Sequence, residues 1–292
     1  MRIAITGITG TLGTGLMQRL LDDDDNHVIL GLSRCEHKQQ MIVPHGRLHL
    51  RLCDIRDSYR LTRLLADFKP QIVLHLAALK SVPVLEHQAD EAISTNVTGT
   101  HNVIDAADDC GAKVIFTSTD KACYPVNTYG VSKAIAERLV RQGGHLVVRY
   151  GNVLGSSSSV LANFQYRLMT EKKVLITHPD MTRFWMLPGD VIHFIIDKIR
   201  GLIAGDAMSS LAIPDGIQAA PITDLAKATA SYLGIEEYKT EIIGIRPGEK
   251  IHETLRTKEE GELITSEDRA VRFHYKTLEA MVHARLKGMG PQ

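Results

Sequence analysis

Short apolar runs alternate along the chain with longer stretches whose apolar positions recur every three or four residues. Residues 2–6 read as a strand, and 11–21 as a helix with Leu12, Leu16, Leu20 and Leu21 on its apolar face. Strand 27–32, the apolar stretch 48–52, helix 61–68 and strand 72–77 follow, then helix 90–110, strand 113–118, helix 129–141 and strand 145–149. Strands alternating with helical segments predict βαβ units and a parallel sheet. The strands are almost wholly apolar, as strands become when helices cover both faces. Past residue 150 the pattern loosens into the loop Gly155-Ser156-Ser157-Ser158-Ser159, helices at 192–204 and 222–233, and a charged segment at 258–268. The run of four acids at 22–25 reads as a solvated turn ahead of the second strand. The expected architecture is α/β: a doubly wound parallel sheet over residues 1–155, to which later segments return, and a smaller C-terminal part over 156–292.

Charge narrows the partners. Lys plus Arg and Asp plus Glu are 34 each, and aromatic residues are 5% of the 292. A neutral chain poor in stacking side chains predicts no nucleic-acid partner and no anionic membrane surface. Cys35, Cys53, Cys110 and Cys123 form no CxxC pair and are expected as reduced thiols in a cytoplasmic protein. A strand begins at Arg2 with no basic n-region before it, so no signal peptide is expected. No apolar run reaches 18 residues, so no membrane span is expected. The 13 histidines include no HExxH motif, and His75, on an apolar strand, reads as a satisfied core residue; no metal site is expected.

The first chemical signal is Gly7-Ile8-Thr9-Gly10-Thr11-Leu12-Gly13, between the first strand and the first helix. Glycines there allow a tight turn and close backbone approach to a pyrophosphate, while the helix N-terminus offers free N–H groups. In that context the loop predicts a Rossmann-type dinucleotide domain. An NAD site usually ends its second strand in Asp or Glu, about 20 residues past the loop. Here Ser33 and Arg34 stand at that place, with Lys38 nearby. A hydroxyl and two cations suit a 2′-phosphate, so NADP is the expected cofactor, the alternative being that Arg34 and Lys38 are solvated loop charges. Asp54, next to Ile55, could accept a hydrogen bond from the adenine amino group.

The second signal is Tyr129-Gly130-Val131-Ser132-Lys133, a YxxxK pair on one helix face. A nearby ammonium is expected to lower the tyrosine pKa and make Tyr129 a general base for an alcohol. Ser118 and Thr119 end the preceding strand, where a hydroxyl can orient the same oxygen. Asp120 and Lys121 lie between the two motifs. An acid and a base there exceed what alcohol oxidation requires and suit an elimination; the alternative is a capping Asp120 and a solvated Lys121. Lys80 and Asn152 follow later strands, at the sheet end where open α/β sheets bind ligands.

These segments, together with residues 77–83, 96–100 and 149–153, Ser118-Thr119-Asp120-Lys121-Ala122, Met181-Thr182-Arg183-Phe184 and Ile245-Arg246-Pro247-Gly248-Glu249-Lys250, carry a resemblance. The chain resembles the extended short-chain dehydrogenase/reductases, and among them the inverting UDP-N-acetylglucosamine 4,6-dehydratases of polysaccharide and flagellin-sugar biosynthesis. The resemblance runs from residue 1 to about 255 and implies a tightly bound NADP held by Gly7, Thr9, Gly10, Thr11, Leu12, Gly13, Ser33, Arg34, Lys38, Asp54, Ile55, Leu76, Ala77, Ala78 and Lys80, with Tyr129 and Lys133. It implies that Tyr129, supported by Lys133 and Thr119, takes the proton of the sugar 4-hydroxyl. Lys121 would then take the C5 proton and Asp120 would protonate the departing C6 hydroxyl. Lys80, Asn152, Arg183, Arg246 and Glu249 would contact a UDP-sugar, the bland alternative for the arginines being surface ion pairs, one with Glu249. A homo-oligomer, dimer or hexamer, is implied as well. The chain departs from the family's pattern at Ser156–Ser159, at Ala162-Asn163 and at Cys123-Tyr124. A nucleotide-sugar 4-epimerase, needing neither Asp120 nor Lys121 as catalysts, and a non-catalytic NADP-binding protein are the rival readings.

Overall fold

A computed structural model describes residues 1–23, 26–156, 159–207, 209–268 and 272–289. Asp24 and Asp25 of the acidic run and Ser157 and Ser158 of the serine loop lie outside the described residues. The chain divides into two compact units, Met1–Arg149 with Ile192–Ile213, and Tyr150–Val191 with Pro214–Gln292.

The first unit is built on a seven-stranded parallel sheet in the order Leu211–Ala212, Leu146–Tyr150, Lys113–Thr119, Ile72–His75, Arg2–Thr6, Val28–Ser33, Leu48–Leu52. Ile3, Ala4 and Ile5 of the first strand and Val73 and Leu74 of its neighbour are fully enclosed, which explains the unbroken apolar runs. Leu61, Leu65 and Phe68 of helix Ser58–Phe68 join Val103, Ile104 and Ala107 of helix Gly99–Asp108 in one core cluster. Asp57 caps the former, its side chain accepting from the Arg60 N–H at 2.9 Å. Strand order reverses direction between Arg2–Thr6 and Ile72–His75, and the crevice at such a switch point, beyond the strands' carboxyl ends, is where doubly wound sheets hold ligands.

The helix expected at 90–110 is three pieces: Ala89–Ala92, a π-helical turn Ile93–Thr98, and Gly99–Asp108. The widened turn brings Asn96 onto the backbone of Leu79, accepting from its N–H at 2.8 Å and donating to its C=O at 2.9 Å. The strand expected at 72–77 stops at His75, because the Ala77 N–H turns to the Thr6 hydroxyl at 3.2 Å.

In the second unit, Gln218–Pro221, Thr182–Met186 and Asn152–Val153 form a three-stranded sheet. Lys173–Ile176 pairs with Lys239–Ile242, and Thr254–Arg256 with Ile264–Thr265. Helices Val160–Glu171, Ile222–Tyr232 and Tyr275–Met289 enclose a core that includes Phe164, Leu168, Leu225, Leu278, Val282 and Leu286. Among the described residues no helix is long and apolar enough to cross a membrane, and no group of three His, Cys, Asp or Glu is placed to hold a metal ion.

Candidate active site

A cavity of about 290 Å³ opens in the first unit between the glycine loop and the ends of the second and third strands. Gly7, Thr9, Gly10, Ser33, Arg34, Lys38, Asp54, Ile55, Leu76, Ala77 and Ala78 line it. Leu32, Cys35, Cys53 and Thr95 line it too and were not anticipated. Thr11, Leu12 and Gly13 open helix Thr11–Asp22 beside it, and the Gly10 N-cap brings no side chain to the helix's first N–H groups. Two glycines are obligatory. Gly7 has φ +73°, and a Cβ there would lie 2.8 Å from the Ala77 nitrogen. A Cβ on Gly13 would meet the Gly7 carbonyl at 2.4 Å.

The basic corner of the cavity is braced. Asp54 accepts from Arg56 Nε at 3.0 Å and Nη2 at 2.7 Å and stands 3.6 Å from Arg34. Burial pushes the Asp54 carboxyl up, but the hydrogen bonds and charge of Arg56, with Arg34 beside it, outweigh burial and hold it below the usual carboxylate range. Its carboxylate therefore orients two arginines. Ser33 Oγ accepts from Gln39 Nε2 at 2.8 Å, which fixes that hydroxyl at the cavity wall.

A buried chain of hydrogen bonds supports the opposite rim. Thr6 Oγ1 accepts the N–H groups of Leu76 and Ala77, each at 3.2 Å, and lies 2.7 Å from His75 Nδ1. His75 Nε2 lies 3.0 Å from Thr100 Oγ1, which donates to the Asn96 carbonyl at 2.6 Å. Because the Thr100 proton is committed to that carbonyl, His75 must donate through Nε2 and accept from Thr6 through Nδ1. Burial, with Lys133 nearby, lowers the His75 pKa to about 3, so the ring is neutral. This is the satisfied core histidine the sequence suggested.

Strand Lys113–Thr119 delivers Thr119 to a short 3-10 turn, Asp120–Ala122. Thr119 Oγ1 donates to Asp120 Oδ1 at 2.9 Å, and Lys121 Nζ donates to the same oxygen at 3.1 Å. Asp120 is fully buried and the Lys121 side chain 17% exposed, so they are neither a surface cap nor a solvated cation. Thr119, not Asp120, caps the turn, accepting from the Lys121 N–H. Helix Thr128–Gln142 starts against this turn: a Cβ on Gly130 would meet the Lys121 carbonyl at 2.3 Å. Nothing in the YxxxK spacing marks that glycine.

Tyr129 is half-buried and hydrogen-bonded to Thr119. Its pKa moves opposite to the expectation. Burial first, then the Asp120 charge, push the phenol up, against the Thr119 hydrogen bond. Lys133, expected to lower it, lies deep: Nζ donates to the Thr117 carbonyl at 2.7 Å and sits 3.8 Å from the centre of the Phe116 ring. Burial lowers the Lys133 pKa to about 7, opposed by the carboxylate of Glu137. Asn96 Nδ2 donates to Ser132 Oγ at 3.0 Å and Ser132 to the Tyr129 carbonyl at 2.8 Å, linking the tyrosine's turn to the π-helical turn. Lys80 is exposed, one residue past the Leu79 backbone that Asn96 holds. Lys80, Tyr129 and Lys133 are not among the residues lining the cavity.

The other candidates belong to the second unit. Asn152 Nδ2 donates to the Phe184 carbonyl at 3.2 Å. Arg183 is 9% exposed and donates to the carbonyls of Thr182, Ile251 and Lys250 at 2.7, 3.0 and 2.9 Å, with Glu253 3.7 Å away. It is a strut between strand Thr182–Met186 and the segment at 250–253. Arg246 is exposed, and its backbone N–H, not its guanidinium, donates to Glu249 Oε2 at 3.1 Å.

Residues 3–274 match a family described as polysaccharide biosynthesis protein. The chain is 37% identical over 276 residues to the UDP-N-acetylglucosamine 4,6-dehydratase (inverting) of Campylobacter jejuni, covering 89% of this chain and 79% of that protein. It is 36% identical over 274 residues to a UDP-glucose 4-epimerase of Rickettsia felis, covering 88% and 78%. Among solved structures, Pen from Bacillus thuringiensis superposes with a TM-score of 0.87 at 26% identity, over 98% of each chain.

Proposed function

The chain belongs to the polysaccharide biosynthesis protein family, and we propose that it is a UDP-N-acetylglucosamine 4,6-dehydratase of the inverting type. One observation carries the choice within the fold: the enclosed Asp120–Lys121 pair, hydrogen-bonded to the same Thr119 that meets Tyr129.

A nicotinamide dinucleotide fits the first unit's cavity, where Gly7 and Gly13 leave space no Cβ allows and an uncapped helix N-terminus favours phosphate. When bound, it supplies a hydride acceptor for C4 of the sugar and a donor for C6. Arg34 and Lys38, with Ser33, favour a 2′-phosphate and hence NADP, since guanidinium and ammonium groups match phosphate oxygens. In the second unit, Arg246 is the exposed cation for the substrate diphosphate, with Glu249 fixing its turn and Asn152 as a sugar contact. Arg183, committed to three carbonyls, leaves that role to Arg246.

Tyr129, as the phenolate, takes the proton of the 4-hydroxyl, held by Thr119. A ketone at C4 acidifies the C5 proton. Lys121 and Asp120 then act as one unit. At 3.1 Å a proton can pass from the ammonium to the carboxylate, giving an amine and a carboxylic acid. The Lys121 amine takes the C5 proton while Asp120 gives its proton to the C6 hydroxyl, and water leaves. The pair ends as ammonium and carboxylate, so charge and protons balance. Reprotonation at C5 from the opposite face gives the inverted 4-keto-6-deoxy sugar.

The Rickettsia relative keeps a second reading open, a 4-epimerase using Tyr129, Lys133 and Thr119 alone. Proton NMR of the protein with UDP-N-acetylglucosamine in D2O separates the two. Dehydration gives a new C6 methyl signal with deuterium at C5. A change at C4 alone establishes the epimerase, and no conversion of any UDP-hexosamine, with NADP added, overturns both.

A further inference from the structure

Glu137 and Arg149 form a buried ion pair for which fold stability gives no reason. Their side chains are 5% and 2% exposed. Arg149 Nε donates to Glu137 Oε1 at 2.9 Å and Nη2 to Oε2 at 2.5 Å, a bidentate fork. Enclosed pairs of this kind are commonly no more stabilising than apolar side chains of the same volume. Their placement suggests another purpose. Glu137 lies four residues after Lys133, which lies four after Tyr129, so the three share one face of helix Thr128–Gln142.

Lys133 is 3% exposed and has little else to hold its charge. Among the described residues it meets one carbonyl, that of Thr117, and the π face of Phe116. Its charge reaches His75 on strand Ile72–His75, a ring that burial keeps neutral, and Tyr129 lies one helical turn before it on its own helix. Glu137 is the acid whose field reaches it. A carboxylate this buried would itself tend to protonate, but a guanidinium stays charged at any working pH and fixes it as the anion.

We propose that Glu137, held ionised by Arg149, is a positioning residue that keeps Lys133, one helical turn after Tyr129, a cation. Its relevance to turnover rests on the dehydratase reading; the charge on Lys133 does not, and is measured without substrate.

The test uses two variants of the full chain, Glu137→Gln and Glu137→Gln combined with Arg149→Met. Two quantities are followed, the titration of Lys133 by 13C NMR at Cε and the pH profile of C6-methyl formation. Glu137→Gln removes the carboxylate from a buried guanidinium and is expected to lower Tm. The double variant removes both charges and is expected to recover it. In both, the Lys133 titration and the alkaline limb of the profile are expected to move to lower pH by about one unit, a loss of roughly tenfold in the cation at a given alkaline pH. Wild-type titration of Lys133 in the double variant would overturn the proposal and leave the pair a structural strut. A moved titration with an unmoved profile would also overturn it. If the wild-type protein makes no methyl product, the dehydratase reading fails, while the Lys133 titration still decides whether Glu137 sets that charge.

Discussion

Replacing Asp120 by Asn isolates the step that separates a dehydratase from an epimerase. The amide oxygen can still accept from Thr119 and Lys121, which now meet the carboxylate at 2.9 and 3.1 Å, so the turn is expected to hold its shape. What is lost is the ability to give a proton to the C6 hydroxyl. General acid–base catalysis contributes roughly 100- to 10,000-fold, so dehydration should slow by that factor, about 3–5 kcal/mol in barrier. The first step should survive. The Asp120 charge helps push the Tyr129 phenol up, so its removal makes that proton easier to move, not harder. The assay is a single turnover with UDP-N-acetylglucosamine, following reduced nicotinamide by absorbance and the C6 methyl by NMR. The expected result is an accumulating reduced cofactor with a 4-keto sugar and almost no methyl product. Methyl formation at the wild-type rate would show that Asp120 is not the acid. Equal loss of both signals would place Asp120 in the C4 oxidation and refute this division of labour between Asp120 and Tyr129.

Other consequences follow from the same geometry. Arg34→Ala with Lys38→Ala should weaken NADP relative to NAD by about tenfold or more, since charge-assisted hydrogen bonds contribute about 1.5–3 kcal/mol each; an unchanged ratio in calorimetric titrations would reject the 2′-phosphate assignment. Thr6→Val leaves the Leu76 and Ala77 N–H groups and His75 Nδ1 without their shared partner, at about 1–3 kcal/mol for each buried group unsatisfied; Tm and dinucleotide affinity should fall together, and a lower Tm with unchanged affinity would separate that rim from the cofactor. Burial holds His75 near pKa 3 against an ordinary 6.5, so the unfolded chain binds the extra proton between those values and stability falls as pH drops through that window. Lys133, near 7 against 10.5, gives the same sign at higher pH, with stability rising from about pH 7 to 10.5. Urea melts of wild type, His75→Gln and Lys133→Met across both windows test the assignment, each variant losing the slope of its own window. Of the two thiols in the cavity wall, exposed Cys35 should react with a maleimide and be protected by dinucleotide, while Cys53, buried and pushed up to about 11, should stay inert; mass spectrometry of labelled peptides reads both.

What the sequence made legible is local. The glycine loop lies between one strand and one helix, and the YxxxK spacing lies within one helical turn, so period and spacing suffice to find them. The requirement at Gly130 is set by the Lys121 carbonyl packing against the helix start, a contact the spacing of YxxxK does not encode. The partners of Asn96 lie 17 and 36 residues away, so the π-helical turn has no signature in a window of apolar positions. Arg183 looked like a phosphate ligand because an exposed arginine would be one; the carbonyls that occupy it come from 67 and 68 residues further on. Helix Tyr275–Met289, which the sequence reading leaves unassigned, shows its period in Leu278, Val282 and Leu286 at intervals of four.

Burial of charge is why the Tyr129 phenol is raised where the YxxxK spacing predicts it lowered. Placing an ammonium near a phenol lowers its pKa only when the ammonium is charged and close, and both conditions carry a desolvation penalty. Here the turn that buries Asp120 also buries the region around Tyr129, so low dielectric raises the phenol and depresses Lys133 together. A site arranged this way is a weak base at rest. It becomes effective when something restores cationic field near the phenol, and the chain's own resource for that is the Glu137–Arg149 pair behind Lys133. The same low dielectric brings the amine–acid form of Asp120 and Lys121 closer in energy to their ion pair, because separated charges lose their hydration there. Exposing the turn to water should therefore impair the elimination more than the C4 oxidation. Ala122→Asp, next to the pair at a buried position, is the direct trial: it should abolish methyl formation while leaving measurable reduction of the cofactor, and parallel loss of both would mean that the enclosure of the turn serves the fold alone.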